Sequence, residues 1–234
     1  MRFAFLVYFF AAVTSLHAEK PFDFASTPGK LPKHVRPIAY AIWIKPDLKK
    51  LTFAGRETVK LNVEQPTHEI VLNALELAVA DAEIDGKTVP KTAIKFDAKS
   101  ELLTIATPEE LRPGEHTLAV RFSGKINQFG RGLFYAKYQE QGTGAKKMFL
   151  GTQFEATDAR RLFPCWDEPV FRARFQLTAV VPENWMAVSN MPIASEKKVA
   201  GGREVEFQPT PSMSSYLSFF ARANSTRLNL KWTA

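Results

Sequence analysis

From Ile38 onward the chain is a succession of short apolar segments divided by turn signals, and no segment sustains a helical period beyond about three turns. Arg56–Val63 alternates polar with apolar residues as a half-buried strand does, and Ile38–Lys45 and Glu69–Asn73 are equally rich in β-branched and aromatic residues. Further strands are predicted over Leu77–Ile84, Lys87–Phe96, Leu102–Ala106, His116–Phe122, Leu133–Tyr138, Lys146–Leu150, Arg172–Val181, Trp185–Ser189 and Glu204–Phe207. Asp85-Gly86 is a hairpin signal, and Gly142–Gly144 and Gly201-Gly202 are turns. Strands of this length and spacing point to an all-β sandwich or barrel. No internal repeat is present.

Residues 1–18 have the form of a secretory signal peptide: Arg2, an apolar run from Phe3 to Val13, and the small residue Ala18 at the cleavage point. The run is too short to span a bilayer, so export to a periplasmic or extracellular space is expected, with no integral membrane segment once the signal is removed. Residues 19–33, rich in Pro, Gly, Ser and Lys, read as an irregular leader, and 34–234 as one large β domain. A single cysteine, Cys165, rules out an intrachain disulfide. Flanked by Pro164 and Trp166, it reads as a small buried hydrophobe. The formal net charge of +7 is spread over basic pairs interspersed with acids. That distribution, with no DNA or RNA motif, gives no ground for a nucleic-acid partner.

One stretch obeys neither period. Over residues 152–169, Thr-Gln-Phe-Glu-Ala-Thr-Asp-Ala-Arg-Arg-Leu-Phe-Pro-Cys-Trp-Asp-Glu-Pro, two prolines bracket a turn, and acidic and basic side chains crowd around buried-type aromatics. This run resembles the signature near the end of the N-terminal domain of zinc aminopeptidases of the aminopeptidase N and puromycin-sensitive type. The similarity extends through residues 175–183, 187–191 and 210–217, and Leu31–Tyr40 resembles the way that domain opens. The resemblance implies a large, mainly antiparallel, saddle-like β-sandwich that packs against a helical catalytic domain, and removal of N-terminal residues from peptides as the activity of the whole enzyme.

It also implies a zinc ion held by a helical His-Glu-x-x-His and a more distant Glu, which leave the metal an open position for water. The sequence has only His17, His34, His68 and His116, and the run from His68-Glu69 ends in Leu72. The chain is therefore expected to stop before its catalytic domain, to carry neither catalytic nor metal-binding residues, and to be inactive alone. Gln153 and Glu155 fall on the family's Gln-x-Glu positions, which contribute to recognition of the substrate's α-ammonium. A desolvated ammonium needs a carboxylate with charge-assisted hydrogen bonds. At i and i+2 of an extended chain the two side chains share a face. The competing reading pairs Glu155 with Arg160 or Arg161 on the surface. Asp158, Arg160, Arg161, Asp167 and Glu168 are expected to pin the loop.

The expected partners are a peptide N-terminus and the catalytic domain. A non-catalytic peptide- or protein-binding module is the alternative, and an unrelated secreted lectin a third reading. After Leu217 the family pattern lapses, Asn224-Ser-Thr226 matches a glycosylation acceptor, and Leu228–Trp232 resumes alternation.

Overall fold

The computed structural model describes residues 21–140 and 143–223. The signal-peptide reading, the acceptor at Asn224 and the alternation at 228–232 lie outside the described residues. Within them the chain runs through β1 (Val35–Asp47), β2 (Thr52–Val63), β3 (Thr67–Asn73), β4 (Leu77–Ile84), β5 (Lys87–Thr88), β6 (Ile94–Asp97), β7 (Leu102–Leu111) and β8 (Gly114–Lys125). It continues through β9 (Gly132–Gln139), β10 (Lys146–Gln153), β11 (Arg172–Val181), β12 (Met186–Ser189), β13 (Ile193–Val199), β14 (Gly202–Phe207), β15 (Met213–Ser214) and β16 (Phe220–Ala223). The described helical pieces are single 3-10 turns at Lys91–Ala93, Ala159–Arg161 and Ser215–Leu217. The fold is all-β, open and sandwich-like, as the strand pattern implies.

Nine strands form the largest sheet, in the order β13-β14-β11-β1-β2-β8-β4-β5, with β15 added against β11. A second sheet runs β12-β16-β10-β9, and a third β3-β7-β6. Pairing is antiparallel except for β1 on β11, which run parallel from Ala39 opposite Arg174 to Ile44 opposite Ala179. Hairpins cannot make a parallel pair, so this contact joins distant parts of the chain.

The alternation of β2 becomes alternating burial, with Phe53, Val59, Leu61 and Val63 on the inner face. Its glycine serves the same face. An added Cβ at Gly55 would lie 2.2 Å from the Phe122 ring, and one at Gly124 would lie 2.5 Å from that of Phe53. Each aromatic ring thus covers the glycine opposite it on the neighbouring strand, which is why both strands tolerate a residue that otherwise weakens sheets. At the next hairpin Asp85 and Gly86 both adopt positive φ, as the tight turn between β4 and β5 requires.

Lys87–Phe96, expected as one strand, is broken. Pro90 has no N–H for a ladder and is followed by a 3-10 turn, so β5 and β6 enter different sheets. β13 is an element that the sequence pattern did not mark. Its residues are nearly all exposed, so burial imposes no alternation.

The irregular segment is fastened to this scaffold by aromatic contacts. Tyr40 of β1 stacks on Phe175 of β11 with centroids 4.8 Å apart, and Phe163 meets both rings edgewise or tilted. Phe154 packs on Phe163 in turn, and Trp166 is fully buried. Such ring pairs contribute roughly 0.5 to 1.5 kcal/mol each beyond their buried area. Cys165 is buried with them, and its backbone exchanges hydrogen bonds of 2.8 and 2.9 Å with Asn73. Burial pushes its thiol pKa up, so it is a packing residue and a poor nucleophile.

Residues 21–33 contain no regular element yet are held in place. Glu168 accepts hydrogen bonds from the amides of Lys30 (2.5 Å) and Leu31 (3.0 Å). Phe24 packs edgewise on Phe171, with the Arg36 guanidinium 3.8 Å from its centroid on another side.

Candidate functional site

β10 ends at Gln153, where its partner is Gly132 at the start of β9. Beyond it the chain curls. The amide of Asp158 donates to the carbonyl of Phe154 (2.9 Å), and Leu162 and Phe163 both donate to Ala159, closing the 3-10 turn. Phe154 is 3% exposed and faces the core, so its neighbours Gln153 and Glu155 both face outward. The i, i+2 relation therefore survives the end of the strand.

The charges around this pair are committed to one another. Asp158, 4% exposed, accepts two hydrogen bonds from Arg131 (2.9 and 3.1 Å) and one from Arg161 (2.8 Å). Burial opposes its charge, but the two guanidinium groups outweigh burial and hold its carboxyl below the usual range. Arg161 also reaches Glu76 at 2.6 Å. Arg160 donates to Asp167 (3.0 Å), to Glu101 (2.7 Å) and to the Asp167 carbonyl (3.0 Å). Asp167 further accepts from the Ser215 hydroxyl, while its amide donates to the Asn73 side chain at 3.1 Å. These groups pin the loop, as expected.

Glu155 pairs with neither arginine, which removes the surface ion-pair reading. Among the described residues, the side chains of Gln153 and Glu155 make no hydrogen bond or ion pair. A carboxylate and an amide two residues apart are thus both exposed and unspent, on a turn whose every other charged side chain is engaged. Such a pair can accept hydrogen bonds from a cation and orient it.

Arg131, Glu76 and Glu101 complete the bracing and were not marked by the sequence. The one local signal is Gly132. It holds φ +61°, and a Cβ there would come within 2.8 Å of Arg161 Cβ, so only glycine brings β9 this close to the 3-10 turn.

Among the described residues the histidines are dispersed, with His34 on Thr67, His68 near Glu110 at 3.9 Å and His116 on Asp85. Among the described residues no three of His, Cys, Asp and Glu converge to hold a metal.

Residues 36–217 match a family model described as the peptidase M1 N-terminal domain. The chain is 42% identical over 188 residues to aminopeptidase M1-D of Oryza sativa subsp. japonica, an alignment covering 80% of this chain and 21% of that protein. It is 40% identical over 201 residues to aminopeptidase N of Acetobacter pasteurianus, covering 86% of this chain and 56% of the relative. It is 32% identical over 197 residues to the puromycin-sensitive aminopeptidase of Caenorhabditis elegans, covering 82% and 21%. The chain thus spans between 21% and 56% of the length of these relatives. On the extent of the family match and the fold that carries it, the chain belongs to the M1 peptidase N-terminal domain family.

Proposed function

We propose that this chain is the N-terminal domain of an exported, zinc-dependent aminopeptidase, and that Gln153 and Glu155 form part of the pocket for the substrate's α-ammonium. The observation that carries the reading is the unspent Glu155 beside Gln153 on a turn whose other charges are all engaged. In a complete site the carboxylate would pair with the ammonium and the amide would fix its direction. Holding the ammonium one residue from the scissile carbonyl restricts cleavage to the first peptide bond.

Zinc belongs to the part of the enzyme that supplies His-Glu-x-x-His. The residues described here do not make a site for it. The domain's own contribution is binding and orientation, and the domain alone is expected to be inactive. Export rests on the pattern of residues 1–18, with 19–33 as a leader and 34–234 as the domain that meets the catalytic portion.

The test is Glu155→Gln in a full-length enzyme carrying this domain. Losing the charged partner is expected to remove about 2 kcal/mol, roughly thirtyfold in kcat/KM, on substrates with a free α-amine. Gln153→Ala should do less, because it removes a neutral group. Glu64→Gln, in an exposed pair with Arg36, serves as the control. A kinetically silent Glu155→Gln, with zinc content and folding intact, sinks the amine-site assignment.

A further inference from the structure

The turn end of the β1–β2 hairpin and the ends of β4, β8 and β11 enclose an open groove of about 790 Å³. Lys45, Lys49, Lys50 and Lys125 stand along it, all exposed. The lysines that form ion pairs among the described residues are Lys87, Lys147, Lys197 and Lys198, so none of these four does. The groove's two acids are already used. Asp47 accepts from the amides of Lys49 (2.9 Å) and Lys50 (3.1 Å), and Glu76 is held by Arg161.

A fifth cation lies deeper. Arg222 of β16 is 3% exposed, and its guanidinium carbon lies 5.2 Å from the centroid of the Trp185 ring. It gives one hydrogen bond, 3.3 Å, to the carbonyl of Val180, and its Nε has no partner. An interior guanidinium without a carboxylate is costly to keep. Burial alone drives its pKa down to about 10. Among the described residues no carboxylate pairs with it.

From the unpaired cations of this groove we infer that it binds an acidic segment of polypeptide, with Glu or Asp interleaved with apolar residues. A carboxylate reaches Arg222, and the lysines take the flanking charges. The apolar residues follow from the walls, where Pro46, Leu48, Ala54, Ala78 and Pro182 offer surface that a free phosphate or a nucleic-acid backbone would leave uncovered. The volume is that of a pocket for a short peptide or a drug-sized ligand.

The probe is a fluorescein-labelled peptide of alternating Glu and Leu, titrated with the chain at low and moderate salt and followed by anisotropy. Binding is expected to weaken with salt. Arg222→Met and the double variant Lys49→Ala/Lys50→Ala should each raise Kd by about tenfold or more, as loss of a charge-assisted contact does. Lys95→Ala, exposed and outside the groove, should leave Kd unchanged. Arg222→Met should also keep or raise the urea midpoint, because it replaces an unpaired interior charge. The double variant alters only exposed lysines of a turn, so it reads out binding even if Arg222→Met folds poorly. Equal affinity for the Gln-Leu isostere, or unchanged Kd in both variants, overturns the inference. So does tighter binding of a short DNA duplex or of phosphatidylglycerol vesicles through the same residues, which would mark an unspecific polyanion surface.

Discussion

Glu57 points into the core from β2, between Ile42 of β1 and Val120 of β8, and is 2% exposed. Neither carboxylate oxygen has a hydrogen-bond partner. Desolvation raises its pKa well above the ordinary value, so the folded protein holds the neutral acid. The unfolded chain loses this proton near pH 4.3, whereas the folded chain keeps it to much higher pH. The stability Glu57 contributes is therefore complete below about pH 4.3 and is lost as pH rises toward the folded value. Glu57→Leu, similar in volume, should stabilise the chain at pH 7 by about 1 to 3 kcal/mol, the cost of an unsatisfied buried group. It should also flatten the decline between pH 4.5 and 7.5. Urea unfolding at the two pH values checks both, and identical midpoints for wild type and variant would show that the carboxyl has a partner in solution. Sequence pattern places residue 57 inward but not its chemistry, because alternation reports the face and not the neighbours.

At the scale of the element, the β4–β5 hairpin is clasped to β8 by one side chain. Asp85 accepts from the Thr117 amide (2.8 Å) and meets His116 Nδ1 at 2.7 Å, while His116 Nε2 donates to the Arg112 carbonyl at 2.8 Å. Both ring nitrogens face acceptors, so the imidazolium suits the site best. Burial works against that charge, but the Asp85 and Arg112 contacts prevail and raise the His116 pKa above 6.5. Asp85 moves the other way: burial is outweighed by His116 and Thr117, and its pKa is lowered. The His116 contribution is complete below about pH 6.5 and lost above its raised value, and the Asp85 contribution is lost only as pH falls through its lowered value. His116→Gln should cost more stability at pH 5.5 than at pH 8.5. The difference should stay below about 1 kcal/mol, since Asp85 is 44% exposed and water screens the pair. An equal cost at both pH values would show that the ring serves by packing alone. The Asp85-Gly86 turn was legible in the sequence because backbone sterics dictate it. The His116 clasp was not, being 31 residues away along the chain. The candidate site divides in the same way: Gln153 and Glu155 share a face by local geometry, whereas the arginines' partners Glu76 and Glu101 come from other elements. The parallel pairing of β1 with β11 was equally hidden, since neither strand's pattern names its neighbour.

For the whole molecule, the decisive feature is an apolar surface next to the candidate site. Val188, Leu217 and Phe219 are 43%, 47% and 43% exposed. They are brought together by hydrogen bonds from Ser189 Oγ to the Phe219 carbonyl (2.6 Å), from Asn190 Nδ2 to the Leu217 carbonyl (2.8 Å) and from the Phe219 amide to Asn190 Oδ1 (2.7 Å). A crevice joins Asn190 and Phe219 to Thr152 and Phe154, so this surface borders the turn that carries Glu155. Scattered exposed apolar residues need no explanation, but a braced cluster beside a candidate site is a candidate surface for a partner to cover. On the proposed reading of the chain as one domain of a longer enzyme, this surface is the expected junction with the remaining polypeptide. The purified chain is therefore expected to bind a hydrophobic dye such as anilinonaphthalene sulfonate in its folded state, with a cooperative urea transition distinguishing this from a loosely packed globule. Leu217→Ser/Phe219→Ser should cut the dye signal at least by about half and leave the urea midpoint nearly unchanged, because half-exposed side chains contribute little burial. A folded chain that binds no dye, or whose dye signal survives the double substitution, would mean that this surface is satisfied within the domain and that the junction lies elsewhere.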